Sequence, residues 1–260
     1  MSERRASPLL YLRSGLYWLV FAASTIVYGF LVGTIAWLLP FRWRHLPVRQ
    51  WAAINLYALR WICGLRWRVE GREHLPAYPM VIFAKHQSTW ETIALAWLLP
   101  PQVWVVKREL LKVPFFGWGL AALWPIAIDR SAGRAAVEQM LQQGRRRLEQ
   151  GQCVMVFPEG TRVRPGTTER YRMGGAILAT ETGTPVLPIA HNAGDFWPRH
   201  SFVKWPGEVV VSIRPPIESA GKNPEQLNDE VRAVIEGEME RISEAGGAGE
   251  EPRRDANERE

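Results

Sequence analysis

Cysteine is scarce in this chain of 260 residues, which contains only Cys63 and Cys153. The two residues are far apart in sequence and have mainly apolar neighbours. This pattern argues against a disulfide framework and against a cysteine-based metal site. A reducing compartment therefore fits the chain better than an oxidising one.

Charge is missing from the segment between Ser14 and Phe41, which is dominated by large apolar and aromatic residues. The segment exceeds the roughly 20 residues that a membrane-spanning helix needs, and its length makes a buried core helix a poor alternative. A signal peptide has an apolar core of roughly 7–15 residues, whereas this run continues well past the small residues Ala22-Ala23-Ser24. We therefore expect an N-terminal helical membrane anchor.

The topology of this anchor stays open at the level of sequence. Arginines flank the apolar run on both sides, so the positive-inside rule gives no orientation. Gly29 and Gly33 could open a re-entrant hairpin near the middle of the run, whereas an ordinary continuous helix would span the membrane. The next segment, Trp51 to Trp67, is expected either to lie in the membrane interface or to pack on the core as an amphipathic helix.

The overall charge is basic, with a formal net charge of +6. Residues 244–260 carry six acidic and three basic side chains, so the rest of the chain holds a surplus of +9. Such a surplus suits anionic partners, which include membrane surfaces, phosphorylated substrates and nucleic acid. Thirteen tryptophans favour the membrane, because indole rings lie well at the headgroup level. The sequence has no recognised nucleic-acid-binding motif, so nucleic acid is not expected as a partner.

The rest of the chain alternates between short apolar runs and longer helical stretches, which predicts an α/β fold with a mixed central sheet flanked by helices. Composition divides the chain into an N-terminal membrane-associated helical region at 1–70, a globular domain at 71–244 and a disordered tail at 245–260. The predicted strands are Met80–Ala84, Val103–Val106, Pro125–Ile128, Cys153–Phe157, Val186–Ala190 and Val209–Ile213, and the predicted helices are Thr92–Leu99, Arg134–Gln150, Gly175–Glu181 and Pro224 to about Ser243.

A histidine with a carboxylate five positions later, His86 and Glu91, stands just after the first of these strands. Open α/β sheets commonly build their sites beyond the carboxyl ends of strands. The two side chains meet if His86 lies in a turn and Glu91 in the first turn of the following helix. The carboxylate would then hold one imidazole nitrogen and leave the other to accept a hydroxyl proton. The alternative is a capping box, in which Ser88 and Glu91 serve only to begin the helix.

The second candidate element is the stretch Phe157-Pro158-Glu159-Gly160-Thr161-Arg162. It follows a predicted strand and contains a glycine turn, where backbone amides and a planar guanidinium can bind phosphate oxygens. Lys107 and Arg130 stand at the ends of two other predicted strands, and we expect them at the same sheet edge as His86. The sequence thus predicts a base beside an anion-binding site.

These residues resemble the four ordered motif blocks of the glycerolipid acyltransferase family typified by 1-acyl-glycerol-3-phosphate acyltransferase. His86 and Glu91 form the first block, and the second runs from Gly117 to Ile128-Asp129-Arg130. The stretch from Phe157 to Arg162 is similar to the third block, and Val186-Leu187-Pro188-Ile189 resembles the fourth.

The resemblance implies transfer of a fatty acyl group from acyl-coenzyme A or acyl carrier protein to the 2-hydroxyl of lysophosphatidic acid, which gives phosphatidic acid in phospholipid biosynthesis. It makes 71–244 the catalytic domain, His86 the general base and Glu91 its orienting acid, with no metal and no cofactor. It also implies a membrane location, in the bacterial inner membrane with the catalytic domain on the cytoplasmic side. The implied phosphate-binding residues are Arg162, with Glu159, Gly160 and Thr161 shaping the pocket, and Arg130 and Lys107 as further contacts.

Two positions depart from the family pattern, which usually has aspartate where this chain has Glu91 and often has serine where it has Val163. Glutamate is one methylene longer, so the backbone must shift or the residue must share a capping role. Neither cysteine nor a serine elbow is placed for an acyl-enzyme, so we expect direct attack by the acceptor hydroxyl. The alternatives are a related acyltransferase with another lysolipid or glycerol 3-phosphate as acceptor, and a non-catalytic lipid-binding membrane protein.

Overall fold

The structure of the chain is a computed structural model that describes residues 5–75, 77–129 and 132–247. Its strands are β1 Leu65–Glu70, β2 Val81–Ala84, β3 Gln102–Lys107, β4 Ile126–Ile128, β5 Cys153–Val156, β6 Val186–His191 and β7 Gly207–Ile213. Its α-helices are α1 Pro8–Ile35, α2 Phe41–Ala58, α3 Trp90–Leu98, α4 Phe116–Ala122, α5 Arg134–Glu149, α6 Gly174–Thr182 and α7 Pro224–Gly247.

The seven strands form one sheet in the order β1-β7-β6-β2-β5-β3-β4. Strands β2 to β6 are parallel where they pair, β7 runs antiparallel to β6, and β1 is parallel to β7. The predicted mixed central sheet is therefore confirmed. All six predicted strands are present, whereas β1 and α4 were not predicted.

Helices cover both faces of the sheet, because the central strands are buried on each side. All four residues of β2 are buried, and their side chains alternate between two apolar clusters. Ile82 and Ala84 belong to the cluster that contains α2 and α3, whereas Val81 and Phe83 belong to the one that contains α5, α6 and α7. The ends of the parallel strands are thus held rigidly at one edge, where loops can carry polar groups.

Helix α7 begins as its sequence predicts and continues further. Asn223 caps it by accepting a hydrogen bond from the Gln226 amide at 2.8 Å, and Leu227, Val231 and Ile235 form its buried stripe. The helix extends to Gly247, into the predicted tail. Residues 248–260, the remainder of that tail, lie outside the described residues, as does Arg130.

The N-terminal apolar run folds as one continuous helix followed by a returning helix. Helix α1 passes through Gly29 and Gly33 without a break, so of the two alternatives that the sequence left open the structure has the continuous helix at these glycines. The chain reverses instead around Leu39 and Pro40, and α2 returns beside α1. The Asn55 amide, near the end of α2, donates to Ser24 Oγ at 3.0 Å.

The two glycines instead let α4 approach α1 closely. A Cβ added at Gly29 would lie 2.6 Å from the carbonyl oxygen of Phe115, and one at Gly33 would lie 2.7 Å from Trp118 Cβ. Only hydrogen fits at these positions, because real side chains do not approach so closely. Glycine therefore serves helix packing here, and this close packing offsets its low helix propensity.

The first half of α1 is attached to the loop that follows β6. The Trp18 indole donates to the carbonyl oxygen of Phe202 at 3.1 Å, and Ser14 Oγ accepts from the Lys204 amide at 3.0 Å. The buried Lys204 ammonium lies 3.6 Å from the centroid of the Trp18 ring and 4.6 Å from that of Trp197. Such desolvated cation–π contacts stabilise the attachment. Both halves of α1 are thus held against the globular domain.

The segment Trp51 to Trp67 packs on the core, as one of its two interpretations predicted, and also contains the start of a strand. Leu56 and Leu59 are fully buried, whereas Trp61 is 78% exposed. The helical stretch ends at Gly64, whose φ of 72° is accessible to glycine, and β1 follows directly.

Helices α1 and α2, with the helical turns that follow each of them, form an exposed apolar surface, which we call the N-terminal apolar surface. Leu12, Leu19, Leu38 and Trp61 are all about 70% exposed or more. Within the described part of the chain, Pro8–Leu38 is long and apolar enough to cross a membrane, by length and composition. An exposed apolar area on this scale marks an interaction surface rather than an ordinary protein exterior.

Candidate active site

The site lies at the sheet edge where β2, β5 and β3 end. Lys85 and His86 follow β2 directly, Phe157 follows β5, and Lys107 is the last residue of β3. Because these strands are parallel neighbours, their ends meet, as the sequence predicted for His86 and Lys107. The tight pairing of short buried strands therefore brings together residues that are distant in sequence.

His86 and Glu91 meet in the predicted geometry. His86 Nδ1 lies 2.8 Å from Glu91 Oε1, with His86 in the turn and Glu91 in the first turn of α3. The same oxygen accepts hydrogen bonds from the amides of Gln87 at 2.9 Å and Ser88 at 2.8 Å. Glu91 therefore holds the imidazole and also satisfies amides at the start of α3, so the two interpretations of this residue are both present.

The environment of Glu91 favours its carboxylate form. Its side chain is fully buried. Burial raises the pKa of a carboxyl, but the pKa of Glu91 is lowered because the neighbouring imidazoles of His191 and His86 and the Ser88 amide outweigh the burial. A buried carboxylate on Nδ1 places the Nδ1 proton toward Glu91 and leaves His86 Nε2 as the basic atom.

Phe157 fixes the plane of the His86 ring. The two rings stack with centroids 3.9 Å apart and planes 11° apart. Phe157 was part of the predicted motif, but nothing in the sequence gave it this role, because the contact joins the ends of two different strands. With Nδ1 bound and one face covered, the imidazole is held in one orientation.

The loop that carries Arg162 is joined to the loop that carries His86. The Val163 amide donates to the His86 carbonyl oxygen at 2.8 Å, and Arg199 donates to the Arg162 carbonyl oxygen at 3.2 Å. Arg162 Nε is buried and has no hydrogen-bond partner within the described residues. The backbone of Arg162 therefore lies beside that of His86, and the Arg162 guanidinium keeps one unpaired donor among the described residues.

Gly160 shapes this loop through its backbone. Its φ is 69°, a conformation that favours glycine, and an added Cβ would lie 2.4 Å from Arg172 Nε. Thr161 is exposed at the same turn. Lys107 is also exposed and lies 3.5 Å from Glu109 in an ion pair. Arg130, the remaining predicted cation, lies outside the described residues.

Glu159 is placed underneath the loop rather than on its surface. Its side chain is fully buried, and Oε1 lies 3.5 Å from the Lys85 ammonium. Burial raises the pKa of Glu159 to about 7, against the attraction of Lys85. A side chain in this position can shape an anion pocket by supporting the loop but does not reach its surface.

His191 is a buried residue behind the dyad to which sequence reasoning gave no role. It ends β6, two residues after the fourth motif block, and its Nε2 donates to the Lys85 carbonyl oxygen at 2.7 Å. Burial lowers the pKa of His191, and the bond to a carbonyl oxygen requires a proton on Nε2. Its place after a buried strand was the signal in the sequence, but its partner could not be read from spacing.

Comparison with known proteins agrees with this geometry. Residues 66–192 match the family model described as Acyltransferase. The chain is 44% identical to the 1-acyl-sn-glycerol-3-phosphate acyltransferase of Pseudomonas aeruginosa, over 91% of this chain and 94% of the relative. It is 29% identical to the human 1-acyl-sn-glycerol-3-phosphate acyltransferase alpha, over 80% of this chain and 76% of the relative.

A solved structure shares the fold. The crystal structure of the 1-acyl-sn-glycerophosphate acyltransferase PlsC from Thermotoga maritima superposes with a TM-score of 0.76 at 21% identity, covering 89% of this chain and 95% of that one. Fold and site together define an α/β acyl-transfer enzyme. The chain belongs to the glycerolipid acyltransferase family typified by 1-acyl-glycerol-3-phosphate acyltransferase, so the family resemblance of its motifs is confirmed.

Proposed function

We propose that the protein transfers a fatty acyl group from acyl-coenzyme A or acyl carrier protein to the 2-hydroxyl of lysophosphatidic acid, which yields phosphatidic acid for phospholipid biosynthesis. The observation that carries this proposal is the joined pair of loops, in which the Val163 amide holds the His86 carbonyl at 2.8 Å. This hydrogen bond supports a site in which the loop of the proposed base and the loop of the proposed phosphate-binding guanidinium act as one unit. The choice of acceptor is supported by the two relatives described above, which are both named 1-acyl-sn-glycerol-3-phosphate acyltransferase.

In the proposed mechanism His86 acts as the general base. Nε2 accepts the proton of the acceptor hydroxyl while that oxygen attacks the thioester carbonyl carbon, and the resulting imidazolium is stabilised by Glu91. The tetrahedral intermediate then collapses, the carbon–sulfur bond breaks, and His86 returns the proton to the departing thiolate. Each cycle ends with ester, free thiol and neutral imidazole.

Direct transfer is supported by the state of the two cysteines. Both are buried, and burial raises the pKa of the Cys63 thiol to about 11 and also raises that of Cys153. A thiol with a raised pKa is a poor nucleophile at neutral pH. Neither cysteine lies in the loops that carry His86 and Arg162, so no acyl-enzyme enters the proposal.

The proposed phosphate pocket is formed by the loop from Glu159 to Arg162. The unpaired, buried Arg162 Nε supports an anionic ligand at this position, because a buried charged donor without a partner is costly. Gly160 and Thr161 form its turn, Glu159 supports it from below, and Lys107 and Arg130 are proposed as further phosphate contacts.

We further propose that the N-terminal apolar surface attaches the protein to the cytoplasmic side of the bacterial inner membrane, where the acyl donors are. Both halves of α1 contact the globular domain, through Trp18 and through Gly33, so α1 is proposed to lie along the membrane beside that domain. Flotation with vesicles of phosphatidylethanolamine and phosphatidylglycerol tests this. Leu38→Asp should weaken flotation, whereas Ala233→Asp, at an exposed apolar residue of α7, should not.

The activity is tested by thiol release and product mass with lysophosphatidic acid, glycerol 3-phosphate and two lyso-aminolipids, each with both donor types. The proposal predicts fastest turnover with lysophosphatidic acid. Faster turnover with another acceptor would show that lysophosphatidic acid is not the preferred acceptor, while acyl transfer would remain the reaction. Absence of thiol release with every pair would leave only the lipid-binding alternative.

A further inference from the structure

Lys85, directly before the proposed base, is buried on the opposite face of the sheet from His86. Successive residues of an extended strand point to opposite faces, and Lys85 continues β2 by donating its amide to the Ile189 carbonyl oxygen. Its side chain is only 1% exposed. A buried ammonium requires a close counter-charge, because an unpaired one is strongly destabilising.

Glu236, on α7, supplies that counter-charge. The Lys85 ammonium donates to both carboxylate oxygens of Glu236, at 2.7 and 2.9 Å, whereas Glu159 is 3.5 Å away. The shorter, two-oxygen contact makes Glu236 the main ionic partner of Lys85. Glu236 lies outside residues 66–192, the part of the chain that matches the family model.

The same carboxylate also holds the segment that follows Arg162. Tyr171 donates its hydroxyl to Glu236 Oε1 at 2.9 Å, and Thr168 donates to Oε2 at 3.2 Å. The Lys85 ammonium adds a contact of 3.4 Å to the Thr167 carbonyl oxygen. One side chain on α7 therefore holds both the His86 loop and the Arg162 loop from behind.

We propose that Glu236 is a positioning residue for acyl transfer, acting through Lys85 to fix His86 relative to the phosphate-binding loop. The inference rests on the proposed function. Reacting groups must be held within a fraction of an ångström, and a displacement of about 1 Å can cost about 10²-fold in rate. Removal of the Glu236 charge is expected to lower kcat by about 10- to 100-fold.

The test compares Glu236→Gln with Glu238→Gln. Glu238 lies on the same helix and is partly buried in contacts with Ser212 and Arg241. Glu238→Gln therefore removes the same charge from α7 at a position away from the site. Lys85→Met and the double variant Lys85→Met with Glu236→Gln complete a double-mutant cycle. If Glu236 acts through Lys85, the double variant is no slower than the worse single variant, because the two residues act as one unit.

A second measurement does not depend on turnover. The NMR signal of the His86 Nδ1 proton, assigned by its loss in His86→Asn, is expected to shift or broaden in Glu236→Gln but not in Glu238→Gln. If the signal shifts in Glu236→Gln but the wild-type protein turns over no acyl donor, the positioning role is sustained and the proposed function is refuted. An unshifted signal, additive losses in the double variant, or equal effects of the two glutamine variants would overturn the positioning role.

Discussion

Replacement of Glu91 by glutamine separates its two roles. Glutamine has nearly the same shape, and its amide oxygen can accept from the Gln87 and Ser88 amides and from His86 Nδ1, all of which now bond Oε1 within 2.9 Å. The other carboxylate oxygen has no hydrogen-bond partner among the described residues, so its exchange for the amide nitrogen breaks no hydrogen bond. The change therefore removes the charge and keeps the hydrogen bonds.

The expected loss of rate follows from the charge alone. Hydrogen bonds to charged groups contribute about 1 to 2 kcal/mol more than neutral ones. Two unit charges about 4 Å apart at an effective dielectric constant of about 20 attract by about 4 kcal/mol. These limits correspond to about 10-fold and about 10³-fold in rate. We therefore expect Glu91→Gln to lower kcat by about 10²-fold.

Thiol-release kinetics and thermal unfolding measured on the same samples test this reasoning. Glu91→Ala should lose activity and also about 1–3 kcal/mol of stability for each buried amide left unpaired, whereas Glu91→Gln should lose mainly activity. Wild-type kcat in Glu91→Gln would show that Glu91 only caps the helix. Equal destabilisation by alanine and glutamine would show that its hydrogen bonds to the amides do not survive the exchange.

Three further predictions concern binding, packing and pH. Arg162→Ala should raise the Michaelis constant for the phosphorylated acceptor about 10- to 100-fold, since charge-assisted bonds contribute about 1.5–3 kcal/mol. Gly29→Ala should destabilise the protein by about 1–3 kcal/mol in thermal unfolding, because its Cβ would meet the Phe115 backbone. The lowered pKa of Glu91 implies a stabilisation that is complete above pH 4.5, its ordinary value, and is lost as the pH falls further, so the free energy of unfolding should fall more steeply on acidification for the wild type than for Glu91→Gln.

Each of these has a control and a contradicting result. Arg164→Ala removes an exposed charge from the same loop, and an equal rise in the Michaelis constant there would remove the special role of Arg162. Gly237→Ala meets nothing within 4 Å in the interior of α7 and should stabilise by about 1 kcal/mol, so a similar effect at both glycines would contradict the packing argument. A stability difference that is constant with pH would show that the Glu91 pKa is unchanged on folding.

Local patterns in the sequence predicted most of the fold. The β-branched runs and the cap at Asn223 predicted six strands and α7 correctly, because these signals lie within a few residues of one another. Strand β1 was missed because it pairs only with β7, more than a hundred residues later, and its arginines fit an amphipathic helix equally well. Helix α4 was missed because Gly117 and Gly119 weaken its helical signal, while its packing on α1 stabilises it.

The site was predicted where its parts are close in sequence and missed where they are not. His86, Glu91 and Arg162 lie in short motifs with a readable spacing, and the structure brings them together. The contributions of His191 and Glu236 depend on contacts that span more than a hundred residues. Their partners are set by sheet order and helix docking, which no local pattern encodes.

The central claim is that His86 removes the proton from the acceptor hydroxyl. The most direct test is single-turnover acyl transfer by His86→Ala, with far-UV circular dichroism to establish that the variant is folded and with His74→Ala, a histidine in a surface turn, as the control. The account predicts a loss of about 10²–10⁴-fold in the rate of transfer for His86→Ala and no loss for His74→Ala. A near wild-type rate in His86→Ala would contradict it.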